Sequence, residues 1–369
     1  MNFFRIPLSS PDITEAEIEA VTAVLRTPRL SMGPELDAFE KELAEYHSVE
    51  DAVVVSSGTA ALHLALITLG IGPGHEVIIP SFAFLALANA VHHVGASPVF
   101  AEIDPLTLNL DPDAVEQAIT PRTRAILVVH TFGVPADMDA FRALANRHGL
   151  ALIEDACEAI GAEFQGRRVG GFGDLAVLGF YPNKQITTGE GGAVLVRDRS
   201  HAARLRSLRN QGRRGAEWLD QVEIGYNYRL SEMECALGRV QLRRIDEILA
   251  MRRAAAERYP RLLQGIPGLE LPPVKLDRRT ISWFVYVVRV TAPFSRDSVG
   301  FHMAELGVAS GKYFAPIHRQ KPWRELPAGI DLPLTDKVAR STLAIPLFNR
   351  ISEKQQEEVA HAFRSAMKT

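Results

Sequence analysis

From residue 50 the chain alternates short runs rich in β-branched residues with longer stretches of helical periodicity. That rhythm restricts it to a mainly parallel sheet covered by helices, because parallel neighbours need long crossovers and the helical stretches supply them. The runs predict strands over 52–55, 76–79, 98–103, 124–129, 150–153, 175–180 and 193–196, with helices over 59–69, 84–94, 113–119 and 137–148 between them. Asp111-Pro112 opens one helix with a capping side chain and a residue that has no N–H to leave unpaired, and Gly149 closes another. Beyond Leu230 the rhythm stops. A long helical stretch over 232–263 leads to turns, a strand over 283–290, a helix over 298–306, a Pro-rich loop over 315–333 and a last helix over 352–367. The change predicts a large α/β domain over 1–245 and a small C-terminal α+β domain over 246–369, with segment 1–35 packing on the small domain.

A chain of 369 residues, 47% hydrophobic and 23% charged, buries a core large enough to need neither disulfide nor metal. Cys157 and Cys235 stand far apart with no CxxC pattern, and His92-His93 has no further ligand at metal spacing, so no metal site is expected. With 41 basic against 44 acidic residues the net charge of −3 gives no whole-protein attraction to nucleic acid or an anionic membrane. No apolar stretch approaches the ~20 residues of a membrane helix. The N-terminus carries no secretory signal pattern, and a cytoplasmic protein is expected. The stretch 307–312 is one residue short of a phosphate-binding P-loop and lacks its Ser or Thr.

Three motifs carry chemistry. Ser56-Ser57-Gly58-Thr59 joins a strand to a helix start, where free amides, the helix dipole and the Thr59 hydroxyl suit a phosphate. Glu154-Asp155 places a carboxylate at the C-terminal end of an apolar strand, where parallel-sheet proteins bind ligands and Asp155 would hold a cation. Lys184 stands between a buried-looking strand and a glycine-rich turn, a setting in which a partly desolvated amine attacks a carbonyl. Taken singly, each has a structural reading: a capped βα turn, a helix-cap carboxylate, a solvated turn lysine. Together they suit pyridoxal 5′-phosphate, whose phosphate, ring nitrogen and aldehyde want those three groups. Phe84 offers either an aromatic face for the ring or core packing.

The ordered set resembles the vitamin-B6-dependent nucleotide-sugar aminotransferases of fold type I, with glutamate at 158 similar to the perosamine synthase branch. The likeness spans nearly the whole chain, through 30–34 with Phe39-Glu40, 56–62, 154–159, 183–192, 208–212, Gly225-Tyr226-Asn227-Tyr228-Arg229-Leu230 and Ser282-Trp283-Phe284-Val285-Tyr286. It implies that Lys184 bonds the cofactor aldehyde, Asp155 pairs with the ring nitrogen, Gly58 and Thr59 hold the phosphate, and Phe84 stacks on the ring. Glu158 falls where many members carry glutamine near the ring hydroxyl. Asn227 matches a residue that reaches the phosphate from the partner subunit, which implies a homodimer with shared sites. Arg229 and His318 fall in segments near the sugar, with a surface-loop histidine as the other reading of His318.

The resemblance further implies an amino group taken from L-glutamate and delivered to a keto group, C4 favoured, of a nucleotide-linked deoxysugar in polysaccharide or glycan synthesis. The cofactor would cycle with pyridoxamine 5′-phosphate. Gly179 departs from the pattern, standing where the family often has a phosphate-binding serine. Lys184 argues against a sugar-dehydratase branch that has histidine there. An amino-acid aminotransferase, a vitamin-B6 dehydratase and a catalytically silent cofactor-binding regulator are the alternatives. Arg197 to Arg214 holds seven arginines, read as a solvated helix face, with contact to substrate phosphates as the other reading.

Overall fold

The computed structural model describes residues 4–215, 219–324 and 330–368. The first three residues of the N-terminal segment and positions 325–329 of the expected Pro-rich loop lie outside the described residues. Seven strands form the central sheet: β1 Asp51–Val55, β2 Glu76–Pro80, β3 Ser97–Ala101, β4 Thr123–Val129, β5 Ala151–Asp155, β6 Leu175–Gly179 and β7 Gly192–Val196, in the order β1-β7-β6-β5-β4-β2-β3. β7 runs antiparallel to both neighbours and the other pairs are parallel, so the expected mainly parallel α/β sheet is present. The exception has a local cause. The connection over 180–191 contains no helix, so the chain folds back beside β6 instead of crossing over.

Both faces of the sheet are covered, which is why its strands read as near-continuous apolar runs. Val77 and Ile79 pack with the helices Gly58–Thr68 and Ala86–His93, while Ile78 packs on the opposite face with Phe141 and Leu144 of Met138–His148. A separate core joins Tyr259 of helix Ile245–Leu263, Val288, Leu343 and Phe363 around the strands Leu269–Glu270, Tyr286–Val290 and Thr342–Ile345. Ile6 enters this second core and bridges to Val308.

Several boundaries differ from the sequence expectation. The helical stretch 232–263 is two helices, Glu232–Arg243 and Ile245–Leu263, broken at Arg244, whose guanidinium is held by Asp12 and Glu17. The helix expected from 84 begins at Ala86, leaving Phe84 outside it. The strand expected from 283 begins at Tyr286, because Trp283 sits in the left-handed region at φ 53°. The arginine run is a solvated face only in part: Arg197, Arg199, Arg204 and Arg214 are exposed, whereas Arg209 is buried against Glu40 and Val54 O, and Arg206 pairs with Glu40 and Asp51. Among the described residues no helix is long and apolar enough to cross a membrane, and no cluster of three metal-ligating side chains occurs.

Candidate active site

Parallel strands deliver their C-terminal ends to one edge of the sheet, and a cleft of about 470 Å³ opens there. Gly58, Thr59, Phe84, Asp155, Glu158 and Lys184 all line it. After β1 the chain turns at Ser57, whose side chain accepts from Ala60 N at 3.0 Å and caps the helix Gly58–Thr68. The first helical turn leaves the amides of Gly58 and Thr59, both lining the cleft, without intrahelical partners. Asp155 ends β5, buried, with a carboxylate oxygen accepting from Cys157 N at 2.9 Å. Its neighbour Glu154 points the other way. That carboxylate is fully buried and accepts from His130 Nε2 at 3.0 Å and from the amides of Gly170 and Phe172. Because His130 Nδ1 accepts from Ala136 N, the proton lies on Nε2. Despite burial, these bonds hold Glu154 below the usual carboxylate range.

Lys184 Nζ lies 3.7 Å from Glu158 Oε1 and 4.1 Å from the centre of the Phe284 ring. Glu158 Oε2 accepts from Phe132 N at 3.0 Å. Burial raises the Glu158 carboxyl above its ordinary range, against the opposing pull of the Lys184 charge. Burial and the Asp155 charge push the Cys157 thiol well up, so it is no nucleophile at neutral pH. Its sulfur fills the floor between two glycines: a Cβ at Gly58 would sit 3.1 Å from Cys157 Sγ, and one at Gly179 3.2 Å from it.

This donor set fits pyridoxal 5′-phosphate. A glycine cradle whose space a Cβ would take meets a helix N-terminus for the phosphate, with a buried carboxylate and a lysine across the cleft. Phe84, 59% exposed, presents an uncovered aromatic face at its wall. The other expected site residues lie elsewhere. Asn227 is exposed on a segment pinned to the helix Gly58–Thr68, where His63 packs on the Tyr226 ring at 4.9 Å and its Nδ1 meets Tyr228 Oη at 3.2 Å. Arg229 donates to Asn210 Oδ1 at 3.0 Å. His318 is buried beside Ser81, Nδ1 to Oγ 2.6 Å, and 3.5 Å from Asp336.

Residues 11–364 match the DegT/DnrJ/EryC1/StrS aminotransferase family. The chain belongs to that family. It is 39% identical over 362 residues to the GDP-perosamine synthase of Caulobacter vibrioides, covering 97% of each chain. It is 41% identical to the dTDP-3-amino-3,4,6-trideoxy-alpha-D-glucose transaminase of Streptomyces venezuelae, covering 94% of this chain and 90% of the relative. Among solved structures, S. venezuelae DesV superposes with a TM-score of 0.92 at 39% identity over 99% of both chains. Helicobacter pylori PseC, an aminotransferase of pseudoaminic acid biosynthesis, does so at 0.94 with 27% identity, over 98% of this chain and 99% of its own.

In this aminotransferase fold the sequence left two residues unassigned, Phe284 in the cleft wall and Gln185 buried behind it. Phe284, under Lys184, lies in the segment 282–286 that was singled out without a role. Gln185, next to the lysine, donates to Glu158 O at 2.7 Å and Ser282 Oγ at 3.0 Å, tying that segment to the site. Neither carries a local signal, because both act across chain separations of about 27 residues or more.

Proposed function

We propose that the protein is a pyridoxal 5′-phosphate-dependent aminotransferase that moves an amino group from L-glutamate to a keto group, at C4, of a nucleotide-linked deoxysugar. The observation that carries this is the convergence of Lys184, Asp155, Gly58, Thr59 and Phe84 on one cleft in a chain of an aminotransferase family. The nucleotide-sugar substrate is supported by relatives named for GDP-perosamine and for a dTDP-amino-trideoxyglucose, and a glycan pathway by the Bacillus subtilis spore coat polysaccharide protein SpsC at 38% identity. Residues 1–245 and 246–369 are taken as the two domains, a division supported by the separate apolar cores.

When bound, the cofactor supplies an electron sink for the carbon that loses a proton. Lys184 Nζ takes that proton from the donor carbon and later returns one to the sugar carbon. The Asp155 carboxylate would hold a proton on the ring nitrogen. The amides of Gly58 and Thr59 and the Thr59 hydroxyl anchor the phosphate. Phe84 would supply an aromatic face for the cofactor ring, and Glu158 Oε1, 3.7 Å from Lys184 Nζ, would help to hold that side chain in the cleft. Leu62, Leu87, Phe180 and Phe314 exclude water from the cleft. Asn227 from a second copy completes the phosphate contacts in a homodimer, supported by its exposure outside its own cleft. Arg229 and His318 are assigned to the sugar side.

Visible absorbance of the purified protein with added cofactor, before and after L-glutamate, tests this assignment for wild type and Lys184→Ala. A yellow wild type that bleaches with glutamate, beside a variant with no lysine-bound band and no turnover, is expected. Turnover retained by Lys184→Ala would remove the lysine from its role. Product analysis with GDP- and dTDP-linked 4-keto-6-deoxyhexoses then separates a sugar acceptor from a 2-keto acid. Sedimentation gives the subunit number.

A further inference from the structure

Arg252, on helix Ile245–Leu263, is only 2% exposed and its charge meets no carboxylate among the described residues. Its guanidinium donates to Trp283 O from Nε at 2.7 Å, to Phe284 O from Nη2 at 2.6 Å and to Asn349 Oδ1 from Nη1 at 2.7 Å. Burying a cation against neutral acceptors alone is unfavourable relative to an apolar side chain of similar size, so the contacts it makes need a reason. The two carbonyls it holds flank the one place where the strand Tyr286–Val290 is delayed. Trp283 is there in the left-handed region, and the turn delivers the Phe284 ring beneath Lys184 Nζ.

From Phe284 the contacts close on themselves. Phe284 N donates to Phe132 O at 3.3 Å, Phe132 N donates to Glu158 Oε2 at 3.0 Å, and Glu158 Oε1 faces Lys184 Nζ at 3.7 Å. Lys184 therefore has two supports: the Phe284 ring, on the segment that Arg252 grips, and the Glu158 carboxylate, held by the Phe132 amide whose own carbonyl is bonded to Phe284 N. We infer that Arg252 is a positioning residue for Lys184: it fixes the Trp283-Phe284 backbone and, through the Phe284 ring, the place of the lysine amine in the cleft. A planar fork that reaches two successive carbonyls and a third acceptor explains arginine at this position; a lysine has the charge without that geometry.

The inference rests on Lys184 being the reactive lysine of the proposed function. Full-length wild type, Arg252→Met, Arg252→Lys, Phe284→Leu and the Arg252→Met/Phe284→Leu double variant are mixed with pyridoxal 5′-phosphate. The rate at which the lysine-bound visible band grows is followed, together with kcat and KM for L-glutamate and the thermal midpoint of the unloaded protein. Arg252→Met and Phe284→Leu should each slow capture and lower kcat roughly 10-fold with little change in KM. The double variant should be no worse than the weaker single, since both changes break one path, and Arg252→Lys should recover part of the rate.

Capture at the wild-type rate in Arg252→Met with only a lowered thermal midpoint overturns the inference, as do losses that multiply in the double variant. If Arg252→Met does not fold, Arg252→Lys with and without Phe284→Leu makes the same comparison. A wild type that captures no cofactor overturns the functional assignment itself, and this inference with it. A wild type that captures cofactor but aminates no sugar overturns only the substrate, and the comparison of capture rates still decides on Arg252.

Discussion

Gly192, at the start of β7, shows how little room the site's edge leaves for a single added carbon. A Cβ there would lie 2.5 Å from the carbonyl carbon and oxygen of Ser57, and Gly192 is in register with Val55 on one side and Gly179 on the other. Backbone on every side cannot give, and Ser57 also caps the helix proposed to seat the phosphate. Gly192→Ala should cost ~2–3 kcal/mol in urea unfolding and weaken cofactor binding with it. Gly58→Ala meets the side chain of Cys157 at 3.1 Å instead. It should change stability by ~1 kcal/mol or less, yet weaken pyridoxal 5′-phosphate ~10-fold by direct titration, because the methyl group, crowded by Cys157 and Gly179, shifts the helix N-terminus proposed to seat the phosphate. The importance of Gly58 was legible in the strand-turn-helix pattern around it. That of Gly192 was not, since its neighbour is more than a hundred residues away.

At the scale of the element, the helix Pro34–His47 is capped from a distance. Pro34 has no N–H to satisfy, and the amides of Gly33, Glu35 and Leu36 all donate to the Glu232 carboxylate, at 2.9, 2.9 and 3.1 Å. Glu232 is itself the first residue of the helix Glu232–Arg243, which carries its own reciprocal cap between Ser231 and Glu234. One carboxylate thus serves the N-terminal ends of two helices, where the dipoles favour negative charge. Glu232→Ala should cost ~2–4 kcal/mol and speed hydrogen exchange at residues 33–36 beyond the rest of the helix. The start of the second helix at 232 matches the sequence expectation, and its cap spans only three residues, from Ser231 to Glu234. The break at Arg244 was not expected: it lacks glycine or proline, and its side chain is held by Asp12 and Glu17 from the other end of the chain.

The whole molecule should lose stability on mild acidification, with His47 as one cause. Its Nδ1–H donates to Val169 O at 2.9 Å, and burial lowers its pKa to about 4 from an ordinary 6.5. Between those values the unfolded chain binds a proton that the folded one refuses, so stability is full above about 6.5 and falls as pH drops toward 4, by ~3 kcal/mol. His47→Gln should flatten that part of the curve when urea midpoints are compared at pH 7 and pH 5; an unchanged slope would reject the assignment. The sequence by itself determined the α/β class and the seven strands of the central sheet, and it singled out Gly58, Asp155 and Lys184, which the structure brings to one cleft, because periodicity, strand-end carboxylates and glycine turns act over a few residues. Only the tertiary structure decided that β7 turns back antiparallel, that Arg209 and His318 are buried, and that Phe284 lies under Lys184 with Arg252 behind it. Those outcomes depend on which distant groups share one dehydrated space, where a charge must find a partner and a methyl group must find room, and no local pattern encodes that.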